Sequence, residues 1–212
     1  MTDFWNTFLQ NLIDTTWLEA VAAFLGIASV WYARRENILV YPSGIVSVLI
    51  YVFICFNARL YADAGINFFY FVMSVYGWYN WTRKDQSDDL LQISVNSRKQ
   101  QVFSLLLTFA SYWVFIGLIW LFNHHDTVYM NSWVPWIDSF TTAVFLVAML
   151  LMARKKIENW IYWIIGNIIS IPMYFMKGLV FTSFQYVIFL ILAILALIEW
   201  RKRLKAQQLA KC

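Results

Sequence analysis

Charge is scarce in this chain of 212 residues: only 13% are Asp, Glu, Lys or Arg, about half the share of a soluble domain. Proline and glycine are scarce too, at 3 and 7 residues, which excludes collagen-like and low-complexity material. The two cysteines, Cys55 and Cys212, are too few for a disulfide framework and are read as inert. Apolar side chains fill the gap. The chain is 61% hydrophobic and holds 12 Trp, 12 Tyr and 18 Phe. A globule of this size has too little interior to hide so much apolar surface. An ordinary soluble domain and a disordered chain are therefore both excluded, and lipid is the expected solvent.

A membrane-spanning helix needs about 20 mostly apolar residues. Seven segments qualify: Leu18–Tyr32, Ile38–Phe56, Tyr61–Trp81, Val102–Phe122, Ile137–Met152, Asn159–Met176 and Val180–Trp200. The runs are continuous, unlike the short alternating strands of about 10 residues in an outer-membrane barrel. The expected class is an all-α integral membrane protein. Phe4–Ile13 is short and interrupted by Asn6, Gln10 and Asn11, which reads as an interfacial helix. With no basic stretch before it, a cleaved signal peptide is not expected.

Lys and Arg placement sets orientation. With seven spans, 14 of the 16 basic residues fall on one face and only Arg59 and Lys177 on the other. The basic face is expected in the cytoplasm, with the N-terminus outside and the C-terminus inside. A nucleic-acid partner is not expected, because these residues sit in short loops at helix ends.

The sequence also repeats at about 119 residues. Trp17-Leu18-Glu19 recurs as Trp136-Ile137-Asp138, and Trp81-Thr82-Arg83-Lys84 as Trp200-Arg201-Lys202-Arg203. Ala33-Arg34-Arg35-Glu36-Asn37 recurs as Ala153 to Asn159, read as two residues longer, and Leu60 matches Leu179. Each repeat holds three spans, with one span between them. The single linker helix makes the two repeats parallel. The expected segmentation is an N-terminal segment 1–16, a first repeat 17–82, a loop 83–101, a linker helix 102–122, an outer loop 123–135, a second repeat 136–200 and a basic tail 201–212. The loop 83–101 reads as a solvated linker and the tail as an anchor on anionic lipid.

Polar groups inside spans are costly and mark candidate sites. Trp160, Trp163, Asn167, Ser170 and Tyr174 follow at spacings of three and four, so they share one helix face. Pro172 in the same span predicts a kink. Gln185 lies three residues after Thr182 in the next span. The first repeat offers Ser47, matched to Asn167, and Asn67, matched to Gln185. The bland alternative is that these amides and hydroxyls only join helices, for about 0.6 kcal/mol each, and that the Trp residues mark membrane interfaces. The set Trp160, Trp163, Asn167, Gln185, Ser47 and Asn67 suits a flat, partly polar, cationic ligand. Aromatic faces attract cations, and amides bond an amide or ribose hydroxyl. No Lys or Arg inside a span could neutralise a phosphate. The spans also lack a carboxylate relay, because Asp63, Asp138, Glu158 and Glu199 fall near their ends, so passive passage is expected.

Leu60-Tyr61-Ala62-Asp63, Tyr76-Gly77-Trp78-Tyr79-Asn80-Trp81 and the run Glu158 to Asn167 resemble the PnuC family of bacterial vitamin-precursor transporters. The resemblance extends from Trp17 to Lys202. It implies seven helices arranged 3+1+3, like SWEET-type sugar carriers. It also implies facilitated diffusion of nicotinamide riboside, trapped inside by a cytoplasmic kinase. Homologous carriers take thiamine, riboflavin or deoxynucleosides. A homo-oligomer is implied, with a trimer as the candidate state, and no cofactor. The chain departs from the family at Ser47 and Asn67, where riboside-carrying members often have Asn and Gln.

Two rival classes lack their marks. An enzyme would need a motif, and no zinc-binding His-Glu-x-x-His, Gly-x-Ser-x-Gly or phosphate-loop pattern occurs. Adjacent His124 and His125 are a poor metal pair on a helix. A seven-helix receptor or retinal protein is the second rival: the 119-residue duplication suits a carrier better than a receptor, and a retinal protein would need a Lys in its last span, where Val180–Trp200 has none.

Overall fold

The computed structural model describes residues 16–57, 61–84 and 90–210. Within them the chain is helical, with no strand beyond two isolated bridges. Eight helices follow in order: α1 (Trp17–Arg34), α2 (Val40–Asn57), α3 (Tyr61–Thr82), α4 (Arg98–Asn123), the one-turn α5 (Thr127–Met130), α6 (Val134–Ala153), α7 (Asn159–Met176) and α8 (Val180–Leu209). The segment Phe4–Ile13, along with Arg59, Leu60 and Cys212, lies outside the described residues.

Local chemistry sets several ends. Thr16 and Glu19 form a reciprocal capping box that starts α1. Ser97 and Gln100 do the same for α4, which therefore begins a turn before the expected Val102. After α1 and α6 the chain turns through Glu36 (φ 57°) and Lys155 (φ 48°), both left-handed. Such a residue after a helix lets the final carbonyls find partners. The Glu36 and Lys155 amides donate to the Ala33 and Met152 carbonyls at 3.0 Å each.

Four helices, α2, α4, α6 and α8, are long and apolar enough to cross a membrane. Helices α1, α3 and α7 carry several Trp and Tyr side chains each, with Glu19 in α1, Asn67 and Asn80 in α3, and Asn159 and Asn167 in α7. Helix α4 leaves Phe103, Leu106, Phe109, Trp113, Leu121 and Phe122 exposed. So much bare apolar surface on one helix fits lipid and not water.

Consecutive helices pack as α1–α2–α3 and as α6–α7–α8. Helix α4 leans on α6. The two groups meet twice, through α1 with α8 and α3 with α6. Their bounds keep one spacing: α2 and α7 start and end 119 residues apart, and α3 and α8 start 119 apart. The turn after α6 is therefore no longer than the turn after α1, which corrects the two-residue insertion read from the sequence.

Two segments differ from their sequence reading. The described end of the loop is no solvated linker: Ile93 is 3% exposed, inside the core cluster that includes Trp81, Trp160 and Trp200. Ser94 pairs with the α6–α7 turn in both directions, its amide to the Lys155 carbonyl (3.1 Å) and its carbonyl to the Ile157 amide (3.0 Å). The Asn96 amide donates to Glu158 at 2.8 Å. We call this stretch the strap. The tail, read as a lipid anchor, continues α8 and turns part of itself inward. Leu204 packs on the core cluster, Arg203 meets Glu36 and Gln207 bonds Gln92.

Candidate functional site

Helix α7 carries the face the spacing predicts. Asn167 is 2% exposed and Ser170 1%. The Trp163 Nε1 and Ser170 Oγ atoms are buried without a hydrogen-bond partner. A buried polar atom with no partner costs about 1–3 kcal/mol, so this face is left incomplete by the protein alone. Trp160 lies one turn nearer the helix start and goes elsewhere. It meets Trp200 edge-on (5.5 Å, 86°) within the core cluster.

Trp163 instead enters a row of rings. It stacks on Phe145 of α6 at 5.1 Å and 29°, and Phe145 faces Tyr186 of α8 at 6.1 Å and 25°. Tyr186 in turn stacks on Tyr174 of α7 at 5.0 Å and 19°. Four near-parallel rings from three helices thus line the middle of the second group. Gly166 makes this possible, because a Cβ there would overlap the Phe145 ring. Tyr186 and Tyr174 share a hydrogen bond, and Tyr51 of α2 and Tyr70 of α3 lie close enough to Tyr186 to act on it electrostatically. Gln185 bonds Tyr51, so one predicted residue links α8 to the first group.

Phe145, Tyr186, Tyr51 and Tyr70 were not identified from sequence. One available signal was Gly166 beside Asn167, because a small residue in a bulky membrane helix marks close approach. The first-repeat candidates fare differently. Ser47 is buried and donates its hydroxyl to the Ala22 carbonyl at 2.7 Å, joining α2 to α1. The structure does not bring it to the rings. Asn67 is half-buried on α3. At the constant spacing of 119, Ser47 corresponds to Gly166 and Asn67 to Tyr186. The matches to Asn167 and Gln185 were each one residue out of register. The corrected register has a physical sense: Gly26 approaches Ser47 in the first group where Phe145 approaches Gly166 in the second.

A second cluster closes the end where α1, α3, α6 and α8 terminate. Tyr41 meets Trp81 edge-on (5.2 Å, 87°), just as Trp160 meets Trp200. Trp81 Nε1 donates to the Met152 carbonyl at 3.2 Å, and Trp200 Nε1 to the Ala33 carbonyl at 3.0 Å. Each bond crosses from one helix group to the other, and the two are related by the same spacing. Glu36 and Lys155, themselves 119 apart, form an ion pair at 2.7 Å. Their side chains are 16% and 7% exposed. Arg203 adds a second cation 3.5 Å from Glu36, and Lys155 lies 4.6 Å from the centre of the Trp81 ring. We call this arrangement the clasp; the strap crosses the same end. At the other end the described ion pair, Lys177 with Asp138 at 2.9 Å, joins α6 and α7 within one group.

Among the described residues no group of three or more His, Cys, Asp or Glu could hold a metal. The His124 and His125 rings lie 3.7 Å apart, tilted by 43°, in an exposed turn. Among the described carboxylates, Glu36, Asp126, Asp138 and Glu158 sit at or near helix ends, Glu199 lies inside α8 one turn before Arg203, and Glu19 at the start of α1 acts electrostatically on Tyr51.

Residues 16–202 match a family described as nicotinamide mononucleotide transporter. The nicotinamide riboside transporter PnuC of Escherichia coli is 29% identical over 207 residues, covering 85% of this chain and 83% of that protein. The PnuC of Neisseria mucosa is 27% identical, covering 90% and 74%. The riboflavin/roseoflavin transporter RibM of Streptomyces davaonensis is 26% identical, covering 91% and 87%. A crystal structure of the vitamin B3 transporter PnuC superposes with a TM-score of 0.70 at 23% identity, over 96% of this chain and 88% of that one. The fold is thus shared with a solved transporter.

Proposed function

The chain belongs to the nicotinamide mononucleotide transporter family, and from that membership we propose that it carries nicotinamide riboside across the bacterial inner membrane. It is a membrane transporter and not an enzyme. The observation that carries the substrate is the α7 face. A row of aromatic rings adjoins Asn167, Ser170 and an unpartnered Trp163 Nε1. A pyridinium ring stacks on aromatic faces and is drawn to their electron-rich surface. Its carboxamide and ribose hydroxyls supply the hydrogen-bond partners that the face lacks.

The family description names the phosphorylated compound, whereas two relatives are named for the riboside. A phosphate needs Arg or Lys. The described cations lie toward helix ends and in the tail of α8, and three of them are already engaged: Lys155 and Arg203 by Glu36, and Lys177 by Asp138. This supports the riboside. Passage is by facilitated diffusion, with trapping by a cytoplasmic kinase, and the carrier works as a homo-oligomer.

The architecture we infer is 3+1+3: α1–α3 and α6–α8 as parallel repeats, with α4 as linker. The constant spacing and the paired Trp81 and Trp200 bonds support it. The basic end is cytoplasmic by the positive-inside rule, with the N-terminus outside. The clasp then closes the cytoplasmic exit in this conformation, and transport requires it to open.

The test is a titration of purified protein with nicotinamide riboside, thiamine, riboflavin and a deoxynucleoside, followed by uptake into proteoliposomes. Nicotinamide riboside binds best, and Asn167→Ala lowers its affinity at least tenfold without loss of insertion. Uptake reaches equilibrium and stops. Tighter binding of riboflavin would move the assignment to the chemistry named for the Streptomyces davaonensis relative. Uphill accumulation on a proton or sodium gradient would refute facilitated diffusion.

A further inference from the structure

Phe145 occupies an unusual place for a residue that only packs. Its ring lies between Trp163 and Tyr186, at 5.1 and 6.1 Å, tilted 29° and 25° from them. That is the position a flat ligand ring takes when two aromatic side chains sandwich it. The polar surroundings do not suit a phenyl group. Trp163 Nε1 and Ser170 Oγ are buried and unpartnered, and Asn167 lies between them on the same helix face. Phe145 has no atom that can bond any of the three. The slot therefore holds the shape of a ring without its hydrogen bonds.

From this we propose that Phe145 is a displaceable plug that fills the substrate slot in the empty carrier and sets how large a ring can replace it. The inference rests on the α7 face being the substrate site. While empty, the plug keeps its two aromatic neighbours apart and excludes water from the membrane interior. An incoming heteroaromatic ring exchanges a phenyl stack for its own, and its polar edge completes Trp163, Asn167 and Ser170. The gain lies in those hydrogen bonds, so an unsubstituted benzene-like ring gains nothing over Phe145. Ring size is limited by how far Phe145 swings. On one side it is held by α7, where Gly166 leaves no room for a Cβ. The sequence offers a partial cue: the residue 119 earlier is Gly26, so the first repeat has no such ring.

The experiment measures affinity by calorimetry on the purified full-length protein, with nicotinamide riboside as the one-ring probe and riboflavin as the three-ring probe. Phe145→Ala and Phe145→Leu are compared with wild type. The expected result is a shift of the riboflavin-to-riboside affinity ratio toward riboflavin, at least tenfold for Phe145→Ala and smaller for Phe145→Leu. Gly166→Ala, which crowds Phe145 against the slot, weakens both probes. An unchanged ratio in both Phe145 variants, or a riboside loss of tenfold or more with no gain for riboflavin, means that Phe145 is a fixed wall and overturns the plug. If Asn167→Ala leaves wild-type riboside affinity unchanged, the α7 site itself fails and the plug fails with it. Riboside binding that Asn167→Ala weakens, together with an affinity ratio that neither Phe145 variant changes, rejects the plug alone.

Discussion

Replacing Glu36 by Gln should open the clasp, and the structure gives the size of the effect. The substitution keeps the side chain's shape and removes its charge. Lys155 then stays almost enclosed, with the Trp81 ring 4.6 Å away as its remaining electrostatic partner. Stranding one member of a buried pair costs about 3–5 kcal/mol. The cation–π contact offsets about 1 kcal/mol of that, and the partial exposure of Glu36 lowers the penalty further. About 2–3 kcal/mol remains, and it is felt only while the clasp is shut, because an open clasp hydrates Lys155. The equilibrium should shift toward the open form by about 30- to 150-fold, at about 1.4 kcal/mol per factor of ten. To read it, Cys55 and Cys212 are replaced by Ser and a single Cys is placed at Ala196, which is fully buried in the core cluster at this end. Labelling with a membrane-impermeant maleimide from the proposed cytoplasmic side should speed up by tens of fold. The swap Glu36→Lys with Lys155→Glu should return the rate toward wild type. An unchanged rate in Glu36→Gln, or a swap that labels as fast as the single variant, would refute the clasp as the closing element.

Other expectations follow from the same contacts. Trp200→Phe keeps a ring against Trp160 but loses the bond to the Ala33 carbonyl; thermal unfolding in detergent should show a loss of about 1–2 kcal/mol. Trp81→Phe should cost a similar amount through Met152, and unequal losses would argue against equivalent roles. Ile93→Ala should cost about 2–4 kcal/mol for a buried Ile and hasten limited proteolysis between residues 90 and 97, whereas an unaffected cleavage rate would mean that the strap is held by its backbone bonds alone. Lys177→Met breaks a pair whose members are each about a quarter exposed, so stability should change by less than about 1 kcal/mol.

The helix pattern was legible where apolar periodicity and composition dominate. The bounds Asn159–Met176 match α7 in full, and the expected start of the last span is the start of α8. The 119-residue spacing was legible at Trp81 and Trp200, which make matching bonds between the two helix groups. Its interior register was not, because polar residues were matched to polar residues, whereas folding pairs Ser47 with Gly166 by position. Trp160 and Trp163 share a helix face in any sequence reading. Only the tertiary contacts divide them, since Trp200 reaches the first and Phe145 the second. Phe145 itself was hidden, because its placement depends on a glycine 21 positions away on another helix. The strap was hidden for a different reason. It is a short irregular segment whose order comes from bonds to the α6–α7 turn, and such bonds leave no period in the sequence.

The pairing of Glu36 with Lys155 bears on ancestry. In the proposed duplicated arrangement these two positions are counterparts, and they meet each other where the two halves join. Two separate copies of a half-length chain would present the same residue from both sides of that junction. Two carboxylates there would repel, and so would two ammonium groups. Opposite charges at equivalent positions require halves that differ in sequence. Cutting this protein into two identical three-helix units would replace attraction with repulsion at the point where the exit is held shut.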